Sequence, residues 1–389
     1  MKFTAVNDVV APRLAAVIAA RLAQEIVDLG WPIGEVLGSQ QDLAKRFGAS
    51  RSVIRETIRI LEHTGAVRVR PGPGGGLVVA QPSRTAVVAS MVVLLAYRLT
   101  PMSELMEVRK RLQVAAVELA AARPARDRQL AVATLDEVLE KAAVSGRPRL
   151  HEVAELEEII AASAANPILS LFIDSLADIV HWRVENGSVR VTPAPSASNV
   201  ALHLKAYRMI GVAIRSGDID AASRRMARVA DADAAGLREV PPKARPAYRA
   251  PSMPAKGGEQ FAAALLSEIE RSGWPIGRVL GSEPELMERY DVGRSVLREG
   301  VRILQHQGAV TTKSGPNGGV VVTAPNQRAV VEAALVLMKY EGVTRKQISD
   351  AARARRGSQG EEPDTTITTP LWALYAEVLG GLRAAAANG

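Results

Sequence analysis

Apolar positions recur at helical spacing along most of the 389 residues, are broken by short stretches of strand character, and follow an arrangement that occurs twice. The run RLAAVIAARLAQEIVDLG places an apolar stripe on one side of a helix, with Pro12 where its first turn would begin. Trp31–Leu37 reads as a short extended link. Ser39 is an N-cap for a helix running to about Phe47, which Gly48 ends, and Ser50 caps a second, longer helix. On that helix Ile54, Ile58 and Leu61 fall at i, i+4 and i+7 and make an inner face, while Arg51, Arg55 and Arg59 repeat on another face. After Gly65 the runs Ala66–Arg70 and Gly76–Ala80 alternate or are β-rich and are joined by PGPGG, a hairpin signature. Helix, turn, longer helix and hairpin, in that order, predict a winged helix-turn-helix.

Beyond Pro82 the pattern changes to long alanine- and leucine-rich helices, at roughly 84–98, 101–122, 126–143, 150–165, 167–186, 198–216 and 218–237. Pro101, Pro124, Gly146, Asn166-Pro167, the loop GSVRVTPAPSAS and Gly217 mark the joints. No strand pattern interrupts them, which predicts an all-α bundle. The segment PPKARPAYRAPSMPAKGG reads as a semi-rigid basic linker. Then the first pattern returns. WPIGEVLGS at Trp31 becomes WPIGRVLGS at Trp274, and RSVIRETIRILEHTGAV becomes RSVLREGVRILQHQGAV. The register holds from Trp31/Trp274 to Pro82/Pro325, with more than half the positions identical. A period this long means duplicated domains. Past Pro325 the copy continues, with Tyr340 matching Tyr97 and TPLWALYAEVLGGLR resembling NPILSLFIDSLADIV, but its middle is missing. GSQGEEPDTTITT between these stretches has a disordered composition. The expected fold is mainly α, with winged domains at 1–82 and 259–325, a bundle at 83–240, a linker at 241–258 and a truncated bundle at 326–389.

Charge adds a partner. The net charge of +8 and isoelectric point near 9.9 favour an anionic one. A helix with one face in a core and arginines on another suits the DNA major groove, where a guanidinium forks onto guanine and clamps phosphate. The aromatic content of 4% argues against recognition by base stacking. The absence of cysteine excludes disulfides and thiolate metal sites. The N-terminal stretch has no signal-peptide core, and the longest apolar runs are too short for a bilayer, so a cytoplasmic protein without a membrane partner is expected.

These residues resemble the GntR superfamily of bacterial transcription factors, in particular its FadR-like branch, in which a winged helix-turn-helix precedes an all-α effector domain. GSQQDLAKRFGASRSVIRE fills the pattern of the winged part. The resemblance implies DNA contacts by Ser50, Arg51, Ser52 and Arg55, by Gln41 where the family usually has arginine, and by the wing tip at Arg70–Gly72. In the second copy it implies Arg294, Ser295 and Arg298, with Lys313 to Gly315 at the wing. There Gly293 replaces the capping serine, Pro284 replaces Gln41 and Asp291 replaces Gly48, while Glu283, Glu285, Glu288 and Asp291 make the leading helix acidic, which weakens phosphate contacts.

Many members hold a metal in the bundle with aspartate and histidines. The matching positions here are Val153, Glu157, Tyr207 and Val229, which cannot make a nitrogen-ligand site, so no metal and no cofactor are expected. His151 opens HEVAE, which lacks the second histidine of a zincin. Arg109, Glu157, Arg183 and Tyr207 sit among apolar neighbours. They read either as a pocket for a carboxylate or acyl-type effector or as internal Arg–Glu pairing. No phosphate loop or nucleophile elbow is present, and no enzyme is expected. The expected function is a sequence-specific, double-stranded DNA-binding regulator that acts as a repressor and is released by a small acidic or acyl-type effector. It would act as a homodimer or single-chain pseudo-dimer on a palindromic or imperfect two-half-site operator. The competing reading is a constitutive or architectural DNA-binding protein whose bundle serves only assembly.

Overall fold

The computed structural model describes residues 7–72, 75–145, 150–192, 197–241, 257–315, 318–355 and 369–388. Most of the expected linker and nearly all of GSQGEEPDTTITT fall outside this set. The first winged domain comprises α1 (Asn7–Asp28), β1 (Val36–Gly38), α2 (Gln40–Phe47), α3 (Arg51–His63), β2 (Val67–Arg70) and β3 (Gly76–Val79). Next come α4 (Arg84–Tyr97), α5 (Met102–Ala121), α6 (Ala125–Ser145), α7 (Leu150–Ser163) and α8 (Pro167–Glu185). The strand β4 (Val189–Val191), α9 (Ala197–Ser216), α10 (Ile219–Gly236) and β5 (Leu237–Glu239) complete the bundle. The second winged domain holds α11 (Gly257–Arg271), β6 (Val279–Gly281), α12 (Glu283–Tyr290), α13 (Arg294–His306), β7 (Val310–Lys313) and β8 (Gly319–Val322). Three helices follow: α14 (Gln327–Tyr340), α15 (Arg345–Ala354) and α16 (Pro370–Asn388). No described helix is long and apolar enough to cross a membrane.

The local chemistry of the helix-turn-helix is that of its caps. Ser39 Oγ accepts from the Asp42 amide at 3.2 Å, and the Asp42 carboxylate accepts from the Ser39 amide at 3.1 Å. Gly48 ends α2 in the left-handed region at φ 58°, and Asp291 takes the same conformation at φ 51° in the second copy, a place aspartate tolerates. Ser50 Oγ accepts from the Val53 amide at 3.4 Å. The wing is tighter than its sequence suggests. A side chain on Gly76 would put its Cβ 2.6 Å from the Gly38 carbonyl oxygen, and one on Gly319 would lie 2.3 Å from that of Gly281. Only glycine lets those strands meet.

Three expectations are corrected. The link before α2 supplies β1, so the wing is a three-stranded sheet of order β1-β3-β2, repeated as β6-β8-β7. Three residues carry too little alternation to be seen in sequence. The bundle also carries an antiparallel ribbon, β4 on β5, with Val189 opposite Glu239 and Val191 opposite Leu237. Val189 and Val191 are β-branched, but again the run is too short to distinguish from a loop. Finally, α1 begins at Asn7 and carries Pro12 inside it. The apolar pair Val9-Val10 extends the helical pattern upstream of the proline, at the cost of one backbone hydrogen bond.

The chain divides into two compact units: residues 1–87 with 327–343, and 88–326 with 344–389. In the first, Leu22, Ile26, Leu43, Ile54, Leu61 and Leu77 form the core of the winged domain, and Val336 of α14 joins them. Trp31 donates from Nε1 to the Ala80 carbonyl at 2.8 Å, and Tyr340 of α14 meets its ring edge-on, centroids 5.3 Å apart at 66°. The second unit repeats this with the partner exchanged. Trp274 donates to the Thr323 carbonyl at 2.8 Å, and Tyr97 of α4 meets it with centroids 5.4 Å apart at 67°. Each winged domain is therefore clasped by the helix that follows the other copy.

Reciprocity continues in the bundle. The truncated copy folds onto the first: α15, which copies the start of α5, packs on α5 and α8, and α16, which copies α8, packs on α5. Phe172 and Tyr375, at matching positions of α8 and α16, stack edge-on with centroids 4.7 Å apart. Glu104 of α5 accepts from the Leu371 amide at the start of α16 at 3.1 Å. At the matching place in the other copy, Gln347 of α15 donates to the Ala165 carbonyl at 2.8 Å, and its own carbonyl accepts from Asn166 Nδ2 at 2.9 Å. Matching elements of the two copies thus meet within one compact unit.

Candidate nucleic-acid interface

The recognition helix α3 is set by its buried side. Val53, Ile54, Thr57 and Leu61 are buried, and Thr57 Oγ1 donates to the Ala15 carbonyl of α1 at 3.2 Å. That leaves Arg51, Ser52, Arg55 and Arg59 exposed on the other side, with Ser50 exposed at the cap. Arg59 is engaged, since its Nη2 lies 2.6 Å from Glu56 Oε1. Among the described residues neither Arg51 nor Arg55 is paired with a carboxylate. Gln41 is exposed on α2, and its neighbour Gln40 donates from Nε2 to the Arg51 carbonyl at 3.3 Å. Ser50 and Ser52 share a hydroxyl hydrogen bond of 2.9 Å at the head of the helix. Arg70 and Gly72 are exposed at the wing tip. The exposed side of α3 thus carries the Arg51 and Arg55 guanidinium groups and the serine hydroxyls, and the wing tip adds Arg70.

The second copy places Arg294, Ser295 and Arg298 in the same exposed positions, with Lys313 and Gly315 exposed on the wing. Its electrostatics differ. Glu283 Oε1 lies 2.9 Å from Arg298 Nε and 3.4 Å from Arg294 Nε. Gly293 offers no side chain to cap α13. An open cleft of about 420 Å³ between α13 and the wing is lined by Glu283, Arg298, Gln305, Thr312 and Lys313, among others. Sequence marked Glu283 as an acidic feature of α12 but gave no sign that it bonds the recognition arginines.

Inside the bundle Arg109, Glu157 and Tyr207 come together. Arg109 on α5 pairs with Glu157 on α7, both buried. Burial opposes the Arg109 charge, yet the fields of Glu157 and Asp233 more than offset it and hold the guanidinium pKa above its ordinary value. Burial, with the nearby Glu157 carboxylate, pushes the Tyr207 hydroxyl well up. Asp233 of α10 and His203 of α9 complete the cluster, 3.7 Å apart. Burial raises the Asp233 carboxyl to about 6 against the pull of Arg109 and His203. Among the described residues, Arg109 Nε, Gln113 Oε1, His203 Nε2 and Tyr207 Oη are buried without a hydrogen-bond partner. Arg183 is not part of this group; its Nη1 donates to the Thr100 carbonyl at 2.7 Å, at the α4–α5 joint. Asp233, His203 and Gln113 were missed in the sequence, although His203 and Tyr207 lie four apart, on one side of α9. Among the described residues no three metal-ligating side chains gather at one point. The side chains of His151 and Val153 lie outside the described set.

With this geometry in view, the comparisons with known proteins are specific. Residues 14–77 and 258–322 each match the model of bacterial regulatory proteins of the gntR family. Residues 104–232 match the FCD domain. An uncharacterised HTH-type transcriptional regulator of Mycobacterium tuberculosis is 31% identical over 148 residues, which is 37% of this chain and 59% of that protein. The match therefore spans little more than half the length of that relative. Among solved structures, a GntR protein of Streptococcus agalactiae aligns with a TM-score of 0.40 at 21% identity, covering 57% of this chain and 99% of that one. McbR/YncC of E. coli aligns at 0.28 and 19% identity, covering 57% and 95%. Neither overlay is close enough to bear on function.

Proposed function

The chain belongs to the gntR family of bacterial regulatory proteins, with two gntR-type winged domains and one FCD domain, and from that premise we propose that it is a dimer fused into a single polypeptide. In this reading one chain reads the two halves of an imperfect palindrome, α3 taking one half-site and α13 the other, and represses until an effector enters the bundle. The observation that supports it is the reciprocal exchange of clasps: Tyr340 on Trp31 and Tyr97 on Trp274, with nearly equal geometry. A chain that makes both halves of a dimer's contacts internally has little left to offer a second chain.

The test begins by selecting sites from random duplex DNA with the intact protein and footprinting the selected site. The double change Arg51→Ala with Arg55→Ala should remove protection of one half, and Arg294→Ala with Arg298→Ala that of the other. Full protection of both halves by the second variant would mean that α13 does not read bases.

For the effector, the polar cluster around Arg109 is the site we favour, because four of its buried polar atoms have no hydrogen-bond partner among the described residues. The Arg109 charge is already balanced by Glu157, so a ligand that brings hydroxyl or amide groups fits without leaving a charge unpaired. An acidic or acyl-type effector is the second reading, and it would have to displace Glu157 from Arg109. Thermal shifts with neutral polyols and with carboxylates distinguish them: an acid that stabilises wild type and stabilises Glu157→Gln more strongly would favour the acid.

A further inference from the structure

The two reading faces are alike in shape and unlike in charge. At the head of α2 the residue after the capping serine is Gln40, neutral, and occupied by the Arg51 backbone carbonyl. At the head of α12 the same position is Glu283, and its carboxylate reaches across to the recognition helix. It accepts from Arg298 Nε at 2.9 Å and from Arg298 Nη2 at 3.5 Å, and lies 3.4 Å from Arg294 Nε. The arginines themselves are retained in both copies, so the difference lies in what holds them.

We propose that Glu283 is a positioning residue that makes the second winged domain the weaker but more selective reader of DNA, while the first, with Gln40, is the stronger and more tolerant one. This rests on the proposal that both domains contact DNA.

A carboxylate that holds a guanidinium through Nε and one terminal nitrogen fixes its plane and leaves the other terminal nitrogen to address a base. Less rotamer freedom is then lost on binding the right base, and a poorly placed base is not met by a readjusted side chain. The same carboxylate lines the cleft between α13 and the wing, beside Lys313. A negative charge there repels phosphate and cancels part of the field that drives sequence-independent binding. Arg55 in the first domain, which meets no carboxylate among the described residues, has neither constraint, and it can clamp phosphate or base as the sequence allows.

The test uses the intact chain carrying Glu283→Gln, the reciprocal Gln40→Glu, and Arg51→Ala with Arg55→Ala as a control. Affinity is measured for the selected site, for that site with its second half scrambled, and for mixed-sequence DNA, each at several salt concentrations. Glu283→Gln should bind mixed-sequence DNA roughly 3- to 10-fold more tightly, with a log–log salt slope steeper by about one. Its preference for the intact over the scrambled site should fall. Gln40→Glu should weaken mixed-sequence binding and sharpen the preference at the first half. Unchanged mixed-sequence affinity and slope in Glu283→Gln, or a preference that rises, would overturn the proposal. If the Arg51/Arg55 control keeps full affinity for the selected site, the DNA-reading assignment itself fails, which is a separate result.

Discussion

At the scale of single residues the molecule turns on where guanidinium groups find their partners. Arg51 and Arg55 have no carboxylate partner among the described residues and lie on the exposed side of α3. Each well-placed arginine–base pair is worth about 1–3 kcal/mol, so losing both should lower affinity for the selected site at least about 100-fold while thermal stability is kept. A band-shift titration with a parallel melt checks this. Arg109 is the opposite case, a charge buried against Glu157. Removing one partner, as in Glu157→Ala, should cost about 3–5 kcal/mol, whereas replacing both by leucine should be nearly neutral for folding, because the cost comes from the abandoned charge. Chemical denaturation of the two variants beside wild type decides it. Asp233 gives the cluster a pH dependence. Its carboxyl, raised to about 6 by burial, holds a proton more tightly in the folded than in the unfolded chain. The fold therefore gains stability from this group as pH falls through about 6 towards 4. Measured against Asp233→Asn to cancel other groups, wild type should gain about 2 kcal/mol between pH 7 and pH 4.5. No difference would mean that Asp233 titrates normally.

At the scale of elements, the clasps carry the argument. A helix that follows one winged domain closes the other, and the edge-on Trp–Tyr pair adds about 0.5–1.5 kcal/mol beyond its buried area. Tyr340→Ala and Tyr97→Ala should each destabilise the protein by about 2–3 kcal/mol, and alanine at Tyr340 should loosen α1 and the wing around Trp31. Hydrogen exchange at Trp31 and Ala80 reads this directly. Most elements were legible beforehand because their signals are local. Ser39, Gly48 and Ser50 bracket α2 and α3, and the breakers Pro101, Pro124 and Asn166-Pro167 fall at the helix joints. What sequence could not show was of two kinds. β1, β4 and β5 have three residues each, too few for a period. The pairings of Glu283 with Arg298 and of Tyr340 with Trp31 depend on which elements meet, and spacing along the chain carries no information about that; for Arg109 and Glu157 the sequence offered internal pairing beside a pocket, and the pair forms. Tyr97 and Tyr340 were visible as matching positions, but nothing in the pattern said that each would serve the other copy.

At the scale of the whole molecule, the winged domain occurs twice, and we read the chain as a dimer fused into a single polypeptide whose second copy has diverged. It keeps α14 to clasp the first winged domain and α15 and α16 to cover the first bundle. Among its described residues the second copy holds no counterpart of α6, α7, α9 or α10. The most direct measurement is the mass of the protein in solution and on the selected duplex, by sedimentation equilibrium or native mass spectrometry. One 41.4 kDa chain free in solution, and one chain per duplex protecting both half-sites, is the predicted result. Two chains on a duplex that carries only two half-sites would contradict the account, because each chain would then be using one reading head and the internal symmetry would not be what binds DNA.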